Sequence, residues 1–143
     1  MNEEKQEASI GAFKIVKVQG KIVLVRHAKD KLLSLPGGGF KAGETPDLAI
    51  QREAWEEADV RRDAISEHIG TFFLHKKPGT VYLFFGEEEE FKGITNDPKE
   101  ISEVILVDPK NLPKDVYPAQ AKMINRWIKG NLGNRGHAPF DLL

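Results

Sequence analysis

Residues 35–60 decide the fold and read LPGGGFKAGETPDLAIQREAWEEADV. The proline and the three glycines at 37–39 predict that regular structure stops there. Thr45, Pro46 and Asp47 then predict the start of a helix. Threonine accepts from unpaired helical amides, proline fits the first helical position, and aspartate meets the positive end of the helix dipole. We expect this helix to run to about Ala58.

The predicted helix carries three glutamates on one face. Glu53, Glu56 and Glu57 lie at i, i+3 and i+4, so their side chains project from the same side. Like charges at this spacing each cost an isolated helix about 0.2–0.5 kcal/mol, so something should compensate them. Arg52, with Glu44 as its partner from the preceding loop, is one partial answer. A hard cation such as Mg²⁺ is the larger one, because it takes oxygen ligands. The alternative is a solvated helix face, which the neighbouring glycines and turn disfavour.

The glycines free the backbone to approach a ligand, but two familiar glycine loops are excluded. A P-loop needs Gly-Lys-Ser/Thr, and Lys41 is followed by Ala42. The dinucleotide fingerprint G-x-G-x-x-G is missed because its third glycine, Gly43, comes one position late.

Outside this stretch, strand and helix patterns predict a mixed sheet with helices packed on it. Strands are predicted at 10–18, 21–27, 32–35, 69–75, 80–86 and 103–108, and a second helix at 119–129. One domain is expected over residues 10–130, between an N-terminal tail (1–9) and a C-terminal tail (131–143). In the first helix, Leu48, Ala49 and Trp55 are expected to turn toward the sheet.

Composition narrows the class of protein. The chain has 143 residues, 40% hydrophobic and 30% charged, which favours one soluble globular domain. It has no cysteine, which excludes disulfides, thiolate metal sites and a cysteine nucleophile. A net charge of -1 lacks the basic field of a duplex nucleic-acid binder. The acidic start is unlike a signal peptide, and no apolar run reaches the roughly 20 residues of a membrane span. We expect a cytoplasmic protein that binds no membrane.

The segment 35–60 resembles the signature of the Nudix hydrolases, G-x5-E-x7-R-E-U-x-E-E-x-G-U, in which U is an aliphatic or bulky apolar residue. The matching glycine and charged positions are Gly38, Glu44, Arg52, Glu53, Glu56 and Glu57. The chain departs from the signature at Asp59, where the family has a glycine that ends the helix in a left-handed conformation. Aspartate tolerates that conformation better than most residues, so we expect a small cost in stability and no loss of chemistry.

The resemblance implies the Nudix fold, a mixed β-sheet in an α/β/α sandwich. It also implies hydrolysis of a diphosphate bond linked to another group X, with Mg²⁺ or Mn²⁺ as cofactor. The implied metal ligands are Glu53, Glu56, Glu57 and the carbonyl of Gly37. Arg52 would orient a glutamate, and Glu44 would hold Arg52 and the loop. The general base stays open between Glu53, Glu57 and a fourth carboxylate from a distant loop.

Further candidates are weaker. The candidate substrate contacts are Arg26, Lys76, Lys77, Gly38 and Glu100. Arg26 ends a buried strand and the lysines lie at a predicted turn, so each either meets substrate phosphates or is an ordinary exposed base. Glu100 or Glu103, beside the last predicted strand, is the candidate fourth carboxylate.

The sequence leaves the substrate open. The favoured substrate is a small nucleotide-type molecule, a nucleoside diphosphate linked to X. A diphosphoinositol polyphosphate, a dinucleoside polyphosphate and a capped RNA are alternatives. A nucleotide-sensing module without turnover is disfavoured by the complete set of carboxylates. A homodimer is among the expected assemblies.

Overall fold

The computed structural model of the protein describes residues 9–73, 79–130 and 139–141. The elements in this part of the chain are β1 (Ser9–Val18), β2 (Lys21–His27), β3 (Leu33–Ser34), β4 (Gly37–Gly39), α1 (Pro46–Ala58), β5 (Glu67–Phe73), β6 (Gly79–Glu87), β7 (Ile101–Val107), α2 (Pro118–Ile128) and β8 (Pro139–Asp141). The strands and helices predicted from sequence are all present, with shifts of a few residues at their ends.

The strands form one mixed sheet. Its order is β3-β2-β1-β6-β5-β8, with β4 paired to β1 and β7 paired to β2. β1 runs parallel to β6, whereas β1–β2 and β5–β6 are antiparallel pairs. The segment between β5 and β6, in which the sequence predicts a turn with Lys76 and Lys77, lies outside the described residues.

The two helices cover opposite faces of the sheet, as the alternation of β1 shows. Ala12 packs with Ala49 and Ile50 of α1, whereas Ile15 packs with Met123 and Ile124 of α2. Successive strand residues point to opposite faces, so both faces of β1 are buried. The predicted α/β/α sandwich is confirmed.

The glycines at 37–39 do not end regular structure, because they form β4 and pair with β1. A Cβ atom added to Gly37 would lie 2.2 Å from the carbonyl oxygen of Ala12. The lack of a side chain therefore lets β4 lie directly against β1. The prediction of a structural stop was wrong here, and the correction places these glycines at the edge of the sheet beside α1.

Two large apolar residues of α1 face outward, contrary to prediction. Leu48 and Trp55 are 52% and 36% exposed, whereas Ala49 and Ile50 are buried. Leu48 and Trp55 are seven residues apart, so they share one side of the helix, opposite Ile50. The guanidinium of Arg62 lies 4.7 Å from the centre of the Trp55 ring and covers part of it. The side of α1 that meets the sheet is built largely from small alanines.

The segment that the sequence places in a C-terminal tail contains a strand. β8 pairs in parallel with β5, with Pro139 opposite Thr71. Within the described residues, no helix is long and apolar enough to cross a membrane.

Candidate active site

Both ends of α1 are fixed as the sequence predicts. The hydroxyl oxygen of Thr45 accepts from the Leu48 amide at 3.3 Å, and Pro46 is the first helical residue. Asp59 ends the helix with φ 55°, in the left-handed conformation expected at that position. The register of the glutamates on the helix is therefore set by local chemistry at each end.

Arg52 donates hydrogen bonds to three other residues of the site. Its Nε and Nη2 atoms donate to the two carboxylate oxygens of Glu44 at 2.7 and 2.9 Å. Nη2 also donates to the Gly39 carbonyl at 3.0 Å, and Nη1 donates to Glu56 Oε1 at 3.2 Å. The bonds from Arg52 hold the pKa of Glu44 at about 2 and raise the pKa of Arg52 itself. The predicted Glu44–Arg52 pair is thus a two-pronged, charge-assisted clamp between the loop and the helix.

Glu53 is packed against the glycine strand. A Cβ atom on Gly38 would lie 2.5 Å from Glu53 Oε2, so glycine is required for the carboxylate to reach this position. Glu53 Oε2 also lies 3.4 Å from Arg52 Nη1, and 13% of the Glu53 side chain is exposed. Burial raises the pKa of Glu53, although the charge of Arg52 opposes the shift.

Glu57 is the most deeply buried of the three helix glutamates, with 7% exposure. The amide of Gly37 donates to its Oε1 atom at 3.0 Å. Burial is the main cause that raises the pKa of Glu57 to about 8, and the negative charges of Glu53, Asp97 and Glu56 add to it. The group is therefore an acid that the protein alone does not stabilise in its ionised form.

The glutamates share one side of α1 but point to different partners. Glu56 bonds to Arg52, Glu57 bonds to the Gly37 amide, and Glu53 lies on Gly38. Within residues 9–73, 79–130 and 139–141, no three acidic or histidine side chains already converge where they would hold a metal ion. Gly37 is bonded to the cluster through its amide. The role of its carbonyl as a metal ligand, which the family resemblance implies, stays a prediction.

Asp97 is a carboxylate near the cluster that the sequence analysis missed. It lies in the turn before β7, and its charge acts on Glu57. Its own amide donates to the Thr95 hydroxyl, which donates in turn to the Glu56 carbonyl. The sequence pattern that could have identified Asp97 is a polar segment before a predicted strand, but Glu100 and Glu103 match that pattern equally well.

Arg26, one of the predicted substrate contacts, bonds to residues outside the carboxylate cluster. Arg26 donates to Glu103 and to Asp115, each at 2.7 Å, so its guanidinium and the Glu103 carboxylate neutralise one another. Glu100 lines a surface pocket with His27 and Lys29. The roles assigned to Arg26 and Glu100 in substrate binding stay predictions. Lys76 and Lys77 lie outside the described residues.

A cleft opens on the other side of the glycine strand, toward the start of α2. Its lining residues are Phe13, His27, Ser34, Gly37, Gly38, Tyr117, Ala119 and Gln120. Gly37 and Gly38 also touch the glutamates, so this strand borders both the cleft and the carboxylate cluster.

The hydrogen bonds around the cleft fix which groups can still donate or accept. The Ser34 hydroxyl donates to the Leu35 carbonyl, so the 2.8 Å contact between His27 Nε2 and Ser34 Oγ requires His27 to donate. Burial lowers the pKa of His27, which favours the neutral ring, in which Nδ1 is an acceptor. Gln120 Oε1 accepts from the Leu35 amide at 3.1 Å, which leaves its NH₂ group as a donor.

Comparison with known proteins agrees with this arrangement. The family model described as "NUDIX domain" matches residues 5–127. A Bacillus subtilis (strain 168) protein named "Putative 8-oxo-dGTP diphosphatase" is 32% identical over 121 residues, which are 84% of this chain and 80% of that protein.

Two solved structures show the same fold. The NUDIX hydrolase from Nitrosomonas europaea superposes with a TM-score of 0.79 at 19% identity, covering 96% of this chain and 80% of that one. The NUDIX domain of Shewanella oneidensis NrtR, complexed with ADP ribose, superposes with a TM-score of 0.75 at 14% identity, covering 90% and 93%. The family match over most of the chain and the carboxylate cluster on α1 lead to one conclusion: the chain belongs to the Nudix hydrolase family.

Proposed function

We propose that this protein is a divalent-metal-dependent pyrophosphohydrolase acting on a nucleoside diphosphate linked to another group. One observation carries the proposal: Glu57 is buried and Glu53 is largely buried against the glycine strand. Both have raised pKa values, and both lie beside the Arg52–Glu44 clamp that ties their helix to the preceding loop. Burying two neighbouring carboxylates is costly unless a cation neutralises them when the protein works.

The donor set fits Mg²⁺ or Mn²⁺. All the side chains concerned offer carboxylate oxygens, and hard divalent cations prefer oxygen ligands. Glu53, Glu56 and Glu57 would hold the cation. Because no three acidic or histidine side chains of the described residues already converge, cation binding would require these carboxylates to rearrange. When bound, the cation supplies positive charge to the oxygens of the diphosphate.

The other roles fall to groups of the protein itself, which hold the carboxylates. Arg52 bonds to Glu44 and to Glu56, which ties the helix that carries the carboxylates to the preceding loop. The Gly37 amide holds Glu57 through Oε1, which leaves Oε2 to face the cation or to take a proton from the attacking water.

The cleft favours a nucleotide over an inositol polyphosphate. Phe13 and Tyr117 offer aromatic surface, and Gln120 and His27 offer one donor and one acceptor. Among the described residues that line it, none is a lysine or an arginine, and burial lowers the pKa of His27. A flat uncharged heterocycle fits this lining, whereas a ring bearing many phosphates would leave its charges unpaired. The name of the Bacillus subtilis relative, an 8-oxo-dGTP diphosphatase, supports the same choice.

A substrate panel with Mg²⁺ tests the proposal. It should contain 8-oxo-dGTP, ADP-ribose, a dinucleoside polyphosphate, an RNA with a 5′-triphosphate and a diphosphoinositol polyphosphate, with products identified by mass spectrometry. We expect cleavage of a nucleotide at a diphosphate bond and no cleavage of the inositol compound. Gln120→Leu should raise KM for the preferred nucleotide about tenfold with little change in kcat, because the cleft binds the base in ground and transition states alike.

Exclusive cleavage of the inositol compound would refute the nucleotide assignment while leaving the reaction class intact. Tight nucleotide binding without hydrolysis in the presence of any divalent metal would support the sensing alternative instead.

A further inference from the structure

The ring of Tyr117 lies between two pockets. It lines the cleft that contains Gln120. Together with His27 it also lines the surface pocket at Lys29. The His27 and Tyr117 rings meet edge to face, with 5.6 Å between their centres and 69° between their planes. Because one ring borders both pockets, its direction decides how much width the cleft offers to a flat heterocycle.

The backbone of Tyr117 is fixed beside β3. Its amide donates to the Leu33 carbonyl at 3.0 Å, and the Leu33 amide donates to the Asp115 carbonyl at 2.8 Å. The side chain of Arg26 adds a bond to the same segment, because Nη1 donates to Asp115 Oδ2 at 2.7 Å. These bonds place the backbone of Tyr117, but they do not set the rotamer of its side chain.

The direction of the ring is set through its hydroxyl, which donates to Asp30 Oδ2. Within the part of the chain that the structure describes, no other group bonds to this hydroxyl. The bond from Tyr117 is the largest cause that lowers the pKa of Asp30, so the acceptor is a carboxylate at neutral pH. The bond is therefore charge-assisted, which makes it stronger than a bond between neutral groups.

The turn that carries Asp30 is itself held by hydrogen bonds. Asp30 Oδ1 accepts from the Leu32 amide at 3.1 Å within the turn. The His27 amide donates to the Leu32 carbonyl, and the Lys31 amide donates to the His27 carbonyl, each at 2.9 Å. Arg26 Nη1 donates to the Lys31 carbonyl at 2.7 Å. The carboxylate is therefore presented to the ring from a closed turn.

We propose that Asp30 is a positioning residue for the substrate: its carboxylate holds the Tyr117 ring against His27, so that the cleft keeps the width that a nucleotide base requires. The inference rests on the proposed function, because the cleft is where the base would lie. Without the bond, the ring would turn toward either pocket, and substrate binding would have to reorder it. The apparent affinity then falls with the fraction of protein molecules whose ring is in place.

The test compares Asp30→Ala, Tyr117→Phe and the double variant. Tyr117→Phe keeps the aromatic surface and the turn, and it removes only the hydroxyl that Asp30 accepts from. Asp108→Ala is the matched control. Asp108 Oδ1 accepts from the amide two residues later at 3.0 Å, as Asp30 Oδ1 does, but Asp108 lines neither pocket.

Two measurements are made on each variant. The first is steady-state kinetics with Mg²⁺ on 8-oxo-dGTP and on ADP-ribose, and the second is calorimetric binding of 8-oxo-dGMP and of AMP to metal-free protein. In both single variants we expect KM and the dissociation constants to rise about three- to tenfold, the range that the loss of one hydrogen bond allows. The value of kcat should stay within about twofold, because the cleft binds the base in ground and transition states alike.

The double variant should bind no more weakly than the weaker single variant, because both changes remove the same bond. Asp108→Ala should stay within about twofold of wild type in every constant. If Asp30 merely stabilised its turn, Asp30→Ala would lower the melting temperature and Tyr117→Phe would keep wild-type constants. That result would overturn the positioning role.

Failure of the inference is distinguishable from failure of the proposed function. If wild type hydrolyses either nucleotide and both single variants match it in KM and in monophosphate binding, the positioning role is overturned alone. Additive effects in the double variant would overturn it in the same way. If wild type hydrolyses neither nucleotide but binds a monophosphate more tightly than Asp30→Ala does, the hydrolase function fails and the positioning role stands. If wild type binds neither monophosphate and cleaves neither nucleotide, both are overturned.

Discussion

Replacing Glu57 by glutamine should stabilise the metal-free protein at alkaline pH. Glu57 is 7% exposed, and burial with neighbouring negative charges raises its pKa from 4.5 to about 8. Glutamine keeps an oxygen that can accept from the Gly37 amide but carries no charge. The substitution therefore removes the cost of ionising a buried acid while it keeps the local hydrogen bond.

The direction and the size of this stability effect follow from the pKa shift of Glu57. The folded-state pKa lies above the unfolded value, so the contribution of Glu57 to stability is fully present below about pH 4.5 and is lost as the pH rises through about 8. At about 1.4 kcal/mol per pH unit, the raised pKa of Glu57 lowers the free energy of unfolding by about 1 kcal/mol at pH 5.5 and by about 5 kcal/mol at pH 8.5.

The assay is thermal unfolding in a chelating buffer at these two pH values. Glu57→Gln should melt close to wild type at pH 5.5 and roughly 10 °C higher at pH 8.5. Glu89→Gln removes the same charge at an exposed position and should melt with wild type at both pH values. Equal melting temperatures of Glu57→Gln and wild type at pH 8.5 would refute the claim that ionised Glu57 destabilises the folded protein.

Three further outcomes are expected. Gly38→Ala should lower turnover at least about tenfold, because the new Cβ would displace the Glu53 carboxylate. Gly11→Ala should be tolerated, because its Cβ would lie at an ordinary 3.4 Å from the nearest atom. Steady-state kinetics of both variants test this prediction. Arg52→Lys should lower the free energy of unfolding by about 1–3 kcal/mol in urea melts, because lysine cannot make the two-pronged bond. Millimolar Mg²⁺ should raise the melting temperature of wild type by mass action and leave a variant with all three helix glutamates changed to glutamine unmoved.

Much of the fold could be predicted because local rules dominate there. Thr45 and Pro46 begin the helix as their chemistry requires, and the left-handed position at Asp59 follows from the family signature. The alternation within β1 indicated a strand, and the order of strands and helices indicated a mixed sheet between two helices. These features depend on residues that are near one another in sequence.

The failures have a common cause, which is dependence on distant partners. The glycines at 37–39 look like a stop, yet β1 supplies the edge that turns them into a strand. Trp55 looks like a core residue, but small alanines on the other side of α1 make the closer contact with the sheet.

The candidate site divides in the same way. The clamp between Arg52 and Glu44 could be predicted because a signature fixes both positions. The approach of Asp97 depends on how a distant loop attaches to the end of α1. Pairing of Arg26 with Glu103 likewise arises from the register of β2 against β7, which the sequence alone does not specify.

The central claim is that the buried glutamates of α1 drive hydrolysis of a nucleotide diphosphate bond. Its most direct test is turnover of the preferred nucleotide from the panel, with Mg²⁺ in ¹⁸O-labelled water, by wild type and by Glu57→Gln. We predict that wild type places ¹⁸O in a phosphate product and that Glu57→Gln, shown to be folded by its melt, is slower by at least about 100-fold. A folded Glu57→Gln protein that turns over at the wild-type rate would contradict the account.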